Sequence, residues 1–213
     1  FIHRISLSIQ FTSIMDRIHE QTKEGLKRAL KEHENQDPAA TERVSLHHVT
    51  NPFPAPRSGF LQHLNIDSLV ELAEKHDFVI KLNGYVTEYF VEGVPLFYMN
   101  RQVDELEEGV VEKLNTKFIF YTGEKISANY AYGFTQLMEI AVKALSPGLN
   151  DPGSAVVCTN YLSDLFSLQY FVREPTVYRD KNGSVRVVRK KFTFENYFNF
   201  CFTPIRQYGG EDI

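Results

Sequence analysis

The sequence lacks the features that mark several classes of protein. It has only two cysteines among 213 residues, without a CxxC pair or zinc-ligand spacing, so neither a disulfide framework nor a structural zinc site is expected. Cys158 and Cys201 both fall within helical patterns, and we expect buried free thiols, which suit a reducing compartment. No apolar run approaches the ~18 residues that a membrane-spanning helix needs.

Motifs of well-known catalytic sites are also missing. There is no GxSxG, P-loop, HExxH or dinucleotide-binding fingerprint. The formal net charge of -4 argues against a general nucleic-acid-binding protein. His47 and His48 are adjacent, and adjacent residues on a strand face opposite ways, so they rarely share one metal ion. We therefore expect no metal, no cofactor and no nucleic acid.

The residues that are present predict an α+β fold. With 43% hydrophobic and 23% charged residues, the chain has the composition of a soluble globular protein with one sizeable core or two small ones. The patterns predict a long amphipathic helix over 1–34 and a proline-containing linker over 35–57. A half-barrel-like β unit follows over 58–100. An α+β unit over 101–213 contains a central helical hairpin, a β-hairpin and a last helix.

The N-terminal helix carries many positive charges and a narrow apolar stripe. The stripe is formed by Leu7, Phe11, Ile14 and Ile18, and Leu26 and Leu30 continue an apolar side. A stripe too narrow for a full core face favours self-association of parallel helices. We therefore expect this helix to contact copies of itself.

Turn residues organise the predicted β unit. Asn83-Gly84 predicts a hairpin between strands over 78–80 and 85–91, and a second turn is expected at Gly93. Val91 and Leu96 should then point inward, as in half-barrel modules of the lipoyl type. The hairpin turn offers no lysine for a carrier function, which we therefore do not expect. A short edge strand is predicted over 44–48, one helix over 103–114 and a strand over 117–121.

A break between two helical patterns organises the second half of the chain. Pro147 stops the first helix, while Asp151 is a suitable N-cap for a second helix that begins at Pro152. The same stretch permits a second interpretation, in which Ser146, Asn150 and Asp151 form a polar ligand pocket at a helix N-terminus.

Two further alternatives concern charged residues. Glu139 and Asp151 lie on either side of the break, and with Asn150 they are candidates for a hydrolase-like site. A predicted hairpin over 175–188 leads into a basic cluster from Arg186 to Lys191, which makes an anionic-lipid-binding module the other alternative.

Arg206 is expected to pair with Asp151 or Glu139, because a partly buried arginine needs a partner.

The break also carries a resemblance to a known family. The run Glu139-Ile140-Ala141, followed by 144–148 (ALSPG) and Asn150-Asp151-Pro152, resembles the family catalogued as domain of unknown function 2254, which are predicted bacterial membrane proteins. Family members usually have isoleucine at the position of Leu149 and a large residue and Thr-Ala after the last proline, where this chain has Gly153-Ser154-Ala155. Supporting matches are FIH at 1–3, SIQ at 8–10, SGFLQ at 58–62, FVEGVPL at 90–96 and IRQYG at 205–209.

The resemblance implies a setting for the protein and no known reaction. It implies membrane helices before Phe1, a bacterial inner-membrane location for the whole protein, and a cytoplasmic location for this portion, which by its composition should be soluble. The role would be assembly of a homo-oligomer or sensing of an unidentified small-molecule ligand. The ligand-binding candidates are Glu139, Ser146, Asn150, Asp151 and Arg206.

Overall fold

The computed structural model describes residues 2–32, 44–86, 88–107, 109–121, 126, 129–190 and 193–210. Six α-helices and eight strands lie in this part of the chain, which confirms the α+β class. The helices are α1 (Ile2–Glu32), α2 (Ile66–Lys75), α3 (Val110–Asn115), α4 (Tyr130–Leu145), α5 (Pro152–Gln169) and α6 (Phe194–Gly209). The strands are β1 (Asn51–Pro54), β2 (Gly59–Leu64), β3 (Ile80–Leu82), β4 (Tyr89–Phe90), β5 (Pro95–Met99), β6 (Phe118–Tyr121), β7 (Val177–Arg179) and β8 (Val185–Val188).

The chain divides into two compact units, and each is assembled from separate stretches. The helical unit comprises Phe1–Glu34, Lys125–Val172 and Phe192–Ile213, and the β unit comprises Asn35–Glu124 and Arg173–Lys191. The predicted domain boundaries therefore need correction. The hairpin of β7 and β8 belongs to the β unit and not with the central helices, because β8 pairs with β3. None of the described helices combines the length and apolar character that crossing a bilayer requires.

The helical unit packs α1, α4, α5 and α6 around one apolar core. The fully buried side chains of this core include Met15, Leu26, Phe134, Leu137, Cys158, Leu162, Leu165 and Cys201. Both cysteines are free and buried, as predicted, and burial raises the pKa of each thiol to about 12. The predicted stop at Pro147 and restart at Pro152 are confirmed, since α4 and α5 form an adjacent helical hairpin.

Helix α1 has a core face of its own within this unit, which corrects the argument from a narrow stripe. Met15, Ile18, Leu26 and Ala29 are buried, and Thr22 completes the face at zero exposure. The Thr22 hydroxyl donates to the Ile18 carbonyl at 2.6 Å and is thereby satisfied. The apolar pattern missed this face because Thr22 is polar. Of the predicted stripe, Ile18 belongs to this core whereas Ile14 is 40% exposed, so self-association through α1 stays a prediction.

Close approach of α1 and α4 depends on small residues. A Cβ atom added at Gly133 on α4 would lie 2.8 Å from the Cβ of Thr22 and would clash with its hydroxyl. A Cβ at Gly25 on α1 would lie 2.7 Å from the Cβ of Tyr130. The two glycines therefore set the distance between these helices, because any side chain there would force them apart.

The β unit contains two sheets over a second core. The five-stranded sheet has the order β1-β5-β3-β8-β7, in which β3 and β8 are parallel and the other pairs antiparallel; the three-stranded antiparallel sheet has the order β4-β2-β6. Helix α2 begins after Asn65, whose side chain accepts from the Ser68 amide, and it packs beside β8. The core includes Phe53, Leu69, Phe78, Ile80, Leu96, Phe97, Met99, Leu114 and Val187.

Several predicted β elements differ from the structure. The prediction of a hairpin at Asn83-Gly84 is wrong, because β3 pairs with β5 and β8, whereas β4 pairs with β2 in the other sheet. Gly93 does occupy a turn, with φ of +82°. Leu96 is fully buried as predicted, but Val91 is 53% exposed. A half-barrel over 58–100 is therefore wrong, because its strands take partners from outside that range.

Three other local predictions are corrected. The range 44–48 contains no strand; His47 and His48 lie in a turn and are exposed. The predicted linker contains strand β1 instead, at the edge of the five-stranded sheet, where Pro52 and Pro54 are tolerated because a proline lacks an amide donor. The single helix over 103–114 is two pieces, a 3-10 turn at Val103–Glu105 and α3, separated at Gly109 with φ of +79°.

Candidate functional site

The loop between α4 and α5 shows how the predicted candidate residues are used. The Ser146 hydroxyl donates to the Lys143 carbonyl at 2.6 Å, and the Asp151 amide donates to the Ala144 carbonyl at 2.8 Å. The Asp151 carboxylate accepts from the amide and the hydroxyl of Ser154, at 3.2 and 2.6 Å. Capping by Asp151 is thus confirmed, and both carboxylate oxygens are occupied.

The remaining candidates around this loop are not brought into one site. Asn150 adopts a left-handed backbone with φ of +44° and is exposed. Glu139 and Arg206 are also exposed, and neither forms an ion pair with the described residues. The expected pair of Arg206 with Asp151 or Glu139 is therefore wrong. Ligand binding by these residues stays a prediction.

The two arginines of the basic cluster, Arg186 within β8 and Arg189 after it, are engaged within the β unit. Arg186 contacts the buried carboxylate of Asp180 at 2.7 Å and that of Asp77 at 2.8 Å, and Arg189 contacts Glu174 at 2.7 Å. The Arg186 guanidinium accordingly holds the pKa of the Asp180 carboxyl below its usual range. An anionic-lipid module built on this cluster would have to break these pairs, so the geometry does not favour that alternative.

A groove between α5 and α6 is a further candidate site among the described residues. Its volume is about 490 Å³, within the range of small-molecule pockets. Its lining residues are Ser163, Phe166, Ser167, Tyr170, Phe171, Phe194, Phe198 and Phe202. None of these is charged. Tyr170, Phe171 and Phe198 are 55%, 61% and 43% exposed, so a large aromatic surface meets solvent here. We call it the aromatic groove.

The floor and one wall of the aromatic groove have a regular construction. Phe166 on α5 is 4% exposed and forms the floor. Its ring centroid lies 5.5, 5.6 and 5.7 Å from those of Phe194, Phe198 and Phe202. These three phenylalanines recur every fourth residue and therefore share one face of α6. They fix the wall, because each of their rings contacts the floor ring.

The only polar groups among the described lining residues, besides the Tyr170 hydroxyl, are two serine hydroxyls on α5. The Ser163 hydroxyl donates to the Thr159 carbonyl at 2.8 Å, and the Ser167 hydroxyl donates to the Asp164 carbonyl at 2.6 Å. Each hydroxyl has one proton and two lone pairs. Both serines are exposed, and with their protons bound to helix carbonyls their oxygens remain available as hydrogen-bond acceptors.

Helix α5 also carries a polar clamp to α1. The Asp164 carboxylate lies 2.7 Å from His19 Nε2 and 2.8 Å from Lys23 Nζ. The His19 ring stacks on Tyr161, with centroids 4.4 Å apart, and the Tyr161 hydroxyl donates to Asp16. The hydrogen bond from Lys23 lowers the pKa of the Asp164 carboxyl, and the bond to Asp16 raises the pKa of Tyr161 to about 12. We call these residues the α1–α5 clamp.

Sequence reasoning missed the aromatic groove. Aromatic residues at helical spacing usually belong to a core, yet Phe194, Phe198 and Phe200 are each at least 39% exposed. A signal was present in the four-residue spacing of Phe194, Phe198 and Phe202. The contact of these three residues with Phe166 could not be predicted from the sequence, because the β-hairpin separates α5 from α6 in the chain. The described residues hold no group of three or more potential metal ligands.

Comparison with known proteins identifies the family. The family described as "Predicted membrane protein (DUF2254)" matches residues 1–213. The chain belongs to the DUF2254 family. It is similar to uncharacterized proteins of Mycobacterium bovis and Mycobacterium tuberculosis, each 26% identical over 220 residues. The match covers 100% of this chain and 42% of each relative, so the chain spans less than half their length. No solved structure matches it.

Proposed function

We propose that this chain is a cytoplasmic, ligand-sensing region of a DUF2254 membrane protein, and that the aromatic groove holds the ligand. The groove is the observation that carries the proposal. Soluble proteins rarely leave a contiguous aromatic surface exposed unless it binds something. Its volume of about 490 Å³ and its uncharged lining suit a small molecule. The role is regulatory, because the residues around the groove include no nucleophile paired with a base.

Helix α5 supplies a route from the ligand to the rest of the helical unit. It contributes Ser163, Phe166 and Ser167 to the aromatic groove and Asp164 to the α1–α5 clamp. The Ser167 hydroxyl binds the carbonyl of Asp164 itself, at 2.6 Å. A ligand that shifts α5 therefore changes the contacts of α1, the helix that the family resemblance places next to the membrane part. Such coupling requires that the ligand binds two positions of α5 with different affinity.

A thermal-shift screen with matched variants tests the ligand site. Phe198 lines the groove and is 43% exposed, whereas Phe200 lies on the same helix, is 44% exposed and does not line the groove. Neutral small molecules that bind the groove should raise the melting temperature of the wild type and of Phe200→Ala, but not of Phe198→Ala. A library that yields no such molecule, or only molecules that stabilise Phe198→Ala equally, contradicts the ligand site.

The cytoplasmic location is tested in the full-length protein. A green fluorescent protein fused after Ile213 should fluoresce in bacterial cells, since this reporter matures in the cytoplasm and not after export through the general secretory route. A periplasmic alkaline phosphatase fused at the same place should stay inactive. The reverse pattern would place this region on the other side of the membrane.

The homo-oligomer implied by the family resemblance is also part of the proposal. Deleting α1 is not a valid test, because Met15, Leu26 and Ala29 belong to the core and their loss would unfold the helical unit. The mass of the full-length protein in a lipid nanodisc gives the answer directly. We expect a multiple of the protomer mass, and a single protomer mass at all concentrations would exclude the oligomer.

A further inference from the structure

The wall of the aromatic groove consists of three closely spaced rings. Phe194 and Phe198 are stacked at 6.0 Å and 23°, and Phe198 and Phe202 lie 4.6 Å apart at 35°. Aromatic rings favour offset-stacked and edge-to-face contacts with one another, beyond the burial of their apolar surface. This wall therefore offers a further aromatic ring contacts that an aliphatic group cannot make.

The absence of charge among the described lining residues selects a neutral ligand. An anion or a cation held here would lose water without gaining an ion partner, which costs free energy. A neutral ring placed against Phe198 would instead add to the edge-to-face contacts that Phe166 already makes with Phe194 at 74°.

The serines determine the polar group that the ligand must carry. Ser163 and Ser167 lie on α5, four residues apart, and both have donated their only proton to backbone carbonyls. At the groove they can accept hydrogen bonds, whereas donating one there would break the bond to the helix carbonyl. A ligand with only acceptor oxygens would form no hydrogen bond to the two serine oxygens, while a ligand with an N–H or O–H group would donate one to them.

We infer that the aromatic groove binds a neutral aromatic compound that carries an N–H or O–H donor, in the manner of an indole or a phenol. The ring would pack against Phe198 and its neighbours on α6, and the donor would reach Ser163 or Ser167 on α5. The inference rests on the proposed ligand-sensing function and names the chemical class of the ligand.

Indole and N-methylindole are suitable probes, because they have nearly the same shape and only indole has a donor. Their dissociation constants follow from chemical-shift titrations of the nitrogen-15-labelled chain. Indole should bind the wild type and Phe200→Ala equally, and Phe198→Ala at least about tenfold more weakly. N-methylindole should bind the wild type about fivefold more weakly than indole, which corresponds to one lost hydrogen bond.

The serines are tested by the double variant Ser163→Ala, Ser167→Ala. Alanine favours helix, so α5 should form normally in this variant, and its circular dichroism and melting temperature check this. We expect the variant to bind indole and N-methylindole with the same affinity. Retention of the preference for indole would overturn the role of the serines, and equal binding of both probes by the wild type would overturn the donor requirement.

Two further probes separate this inference from the function on which it rests. Tetramethylammonium tests a cationic ligand, and decanol tests a flexible aliphatic one. If either binds in a manner that requires Phe198 while indole does not bind, the aromatic donor class is wrong and the ligand-sensing groove stands. If no probe shows binding that depends on Phe198, both the class and the groove are overturned.

Discussion

At the scale of single residues, Asp151 shows how one side chain fixes the start of a helix. Its two carboxylate oxygens bind the amide and the hydroxyl of Ser154, so that two donors in the first turn of α5 are satisfied. Pro152, which follows, lacks an amide proton and loses nothing at that position. The role of Asp151 is thus explained by local geometry alone.

Replacing Asp151 by alanine should lower the free energy of unfolding by about 1 kcal/mol, because the Ser154 amide loses its acceptor. Asparagine is nearly as good an N-cap, so Asp151→Asn should keep most of this stability. Urea unfolding of the three proteins measures the difference. An Asp151→Ala protein as stable as the wild type would show that the carboxylate serves another purpose, such as a ligand site in this loop.

Gly133 is a second residue with a specific consequence. Alanine usually stabilises a helix relative to glycine by about 1 kcal/mol. Here its Cβ would clash with Thr22, which is buried and held by its own hydrogen bond. We expect Gly133→Ala to lose about 1–3 kcal/mol net, as overpacked sites do.

Gly148 is the matched control, since a Cβ there meets nothing within 4 Å. Gly148→Ala should change the midpoint of urea unfolding little. If both alanine variants have the same midpoint of urea unfolding as the wild type, α1 and α4 are not in the close contact that the structure shows.

The residues predicted correctly are those whose role is local. The N-cap at Asp151 and the stop at Pro147 follow from chemistry within a few positions, and the sequence contains all of that chemistry. Arg206 was predicted to form an ion pair and is exposed. Its partner depended on how α6 rotates about its axis, and that rotation is set by the packing of Phe202 and Cys201 against other helices.

At the scale of elements, the α1–α5 clamp combines an ion pair with a stacked ring. Asp164 is 42% exposed and Lys23 is 28% exposed, so solvent screens their attraction. The folded state lowers the pKa of the Asp164 carboxyl, chiefly through the hydrogen bond from Lys23. Its contribution to stability is therefore complete above the unfolded pKa of about 3.9, and it is lost as the pH falls through the lower folded value.

Asp164→Asn should reduce the free energy of unfolding at pH 7 by less than about 1 kcal/mol, and the difference from wild type should shrink as the pH falls below about 4. Glu139→Gln is the control, since Glu139 is exposed and has no ion pair with the described residues. Chemical unfolding across this pH range measures both. A difference that stays constant down to pH 2 would mean that the Asp164 charge is not what the clamp uses.

Helices were predicted more accurately than strand pairs, and the reason is physical. The ends of α4, α5 and α6 follow from caps and apolar spacing within each helix. Asn83-Gly84 has the composition of a hairpin turn, but the strand after it joins the other sheet. Strand partners are chosen by burial across distant parts of the chain, and local turn chemistry does not contain that information.

At the scale of the whole molecule, neither unit is a continuous stretch of sequence. The aromatic groove joins α5 to α6 across the inserted β-hairpin, and the β unit needs that hairpin to complete its sheet. The helical and strand patterns predicted the fold class, and the length and composition allowed for two cores. The division of the chain between those cores could not be predicted, because it depends on the long-range pairing of β3 with β8.

A peptide of residues 58–100, the predicted half-barrel, should therefore be unfolded in isolation. It lacks β1, β6 and β8, which pair with β5, β2 and β3. Circular dichroism and proton chemical-shift dispersion measure this against the whole chain as the folded reference. A peptide with dispersed amide signals and a cooperative melt would show that the predicted half-barrel is an independent unit.

The parallel pair of β3 and β8 has a consequence for the growing chain. Ile80 lies opposite Val187, roughly a hundred residues later in sequence. At synthesis rates of about 5–20 residues per second, β3 waits about 5–20 s on the ribosome before its neighbour exists. During that time its free edge, beside the apolar side chains of Ile80 and Leu82, can recruit strands from other nascent chains. Synthesis of the hairpin of β7 and β8 therefore ends the time during which the edge of β3 can pair with other chains.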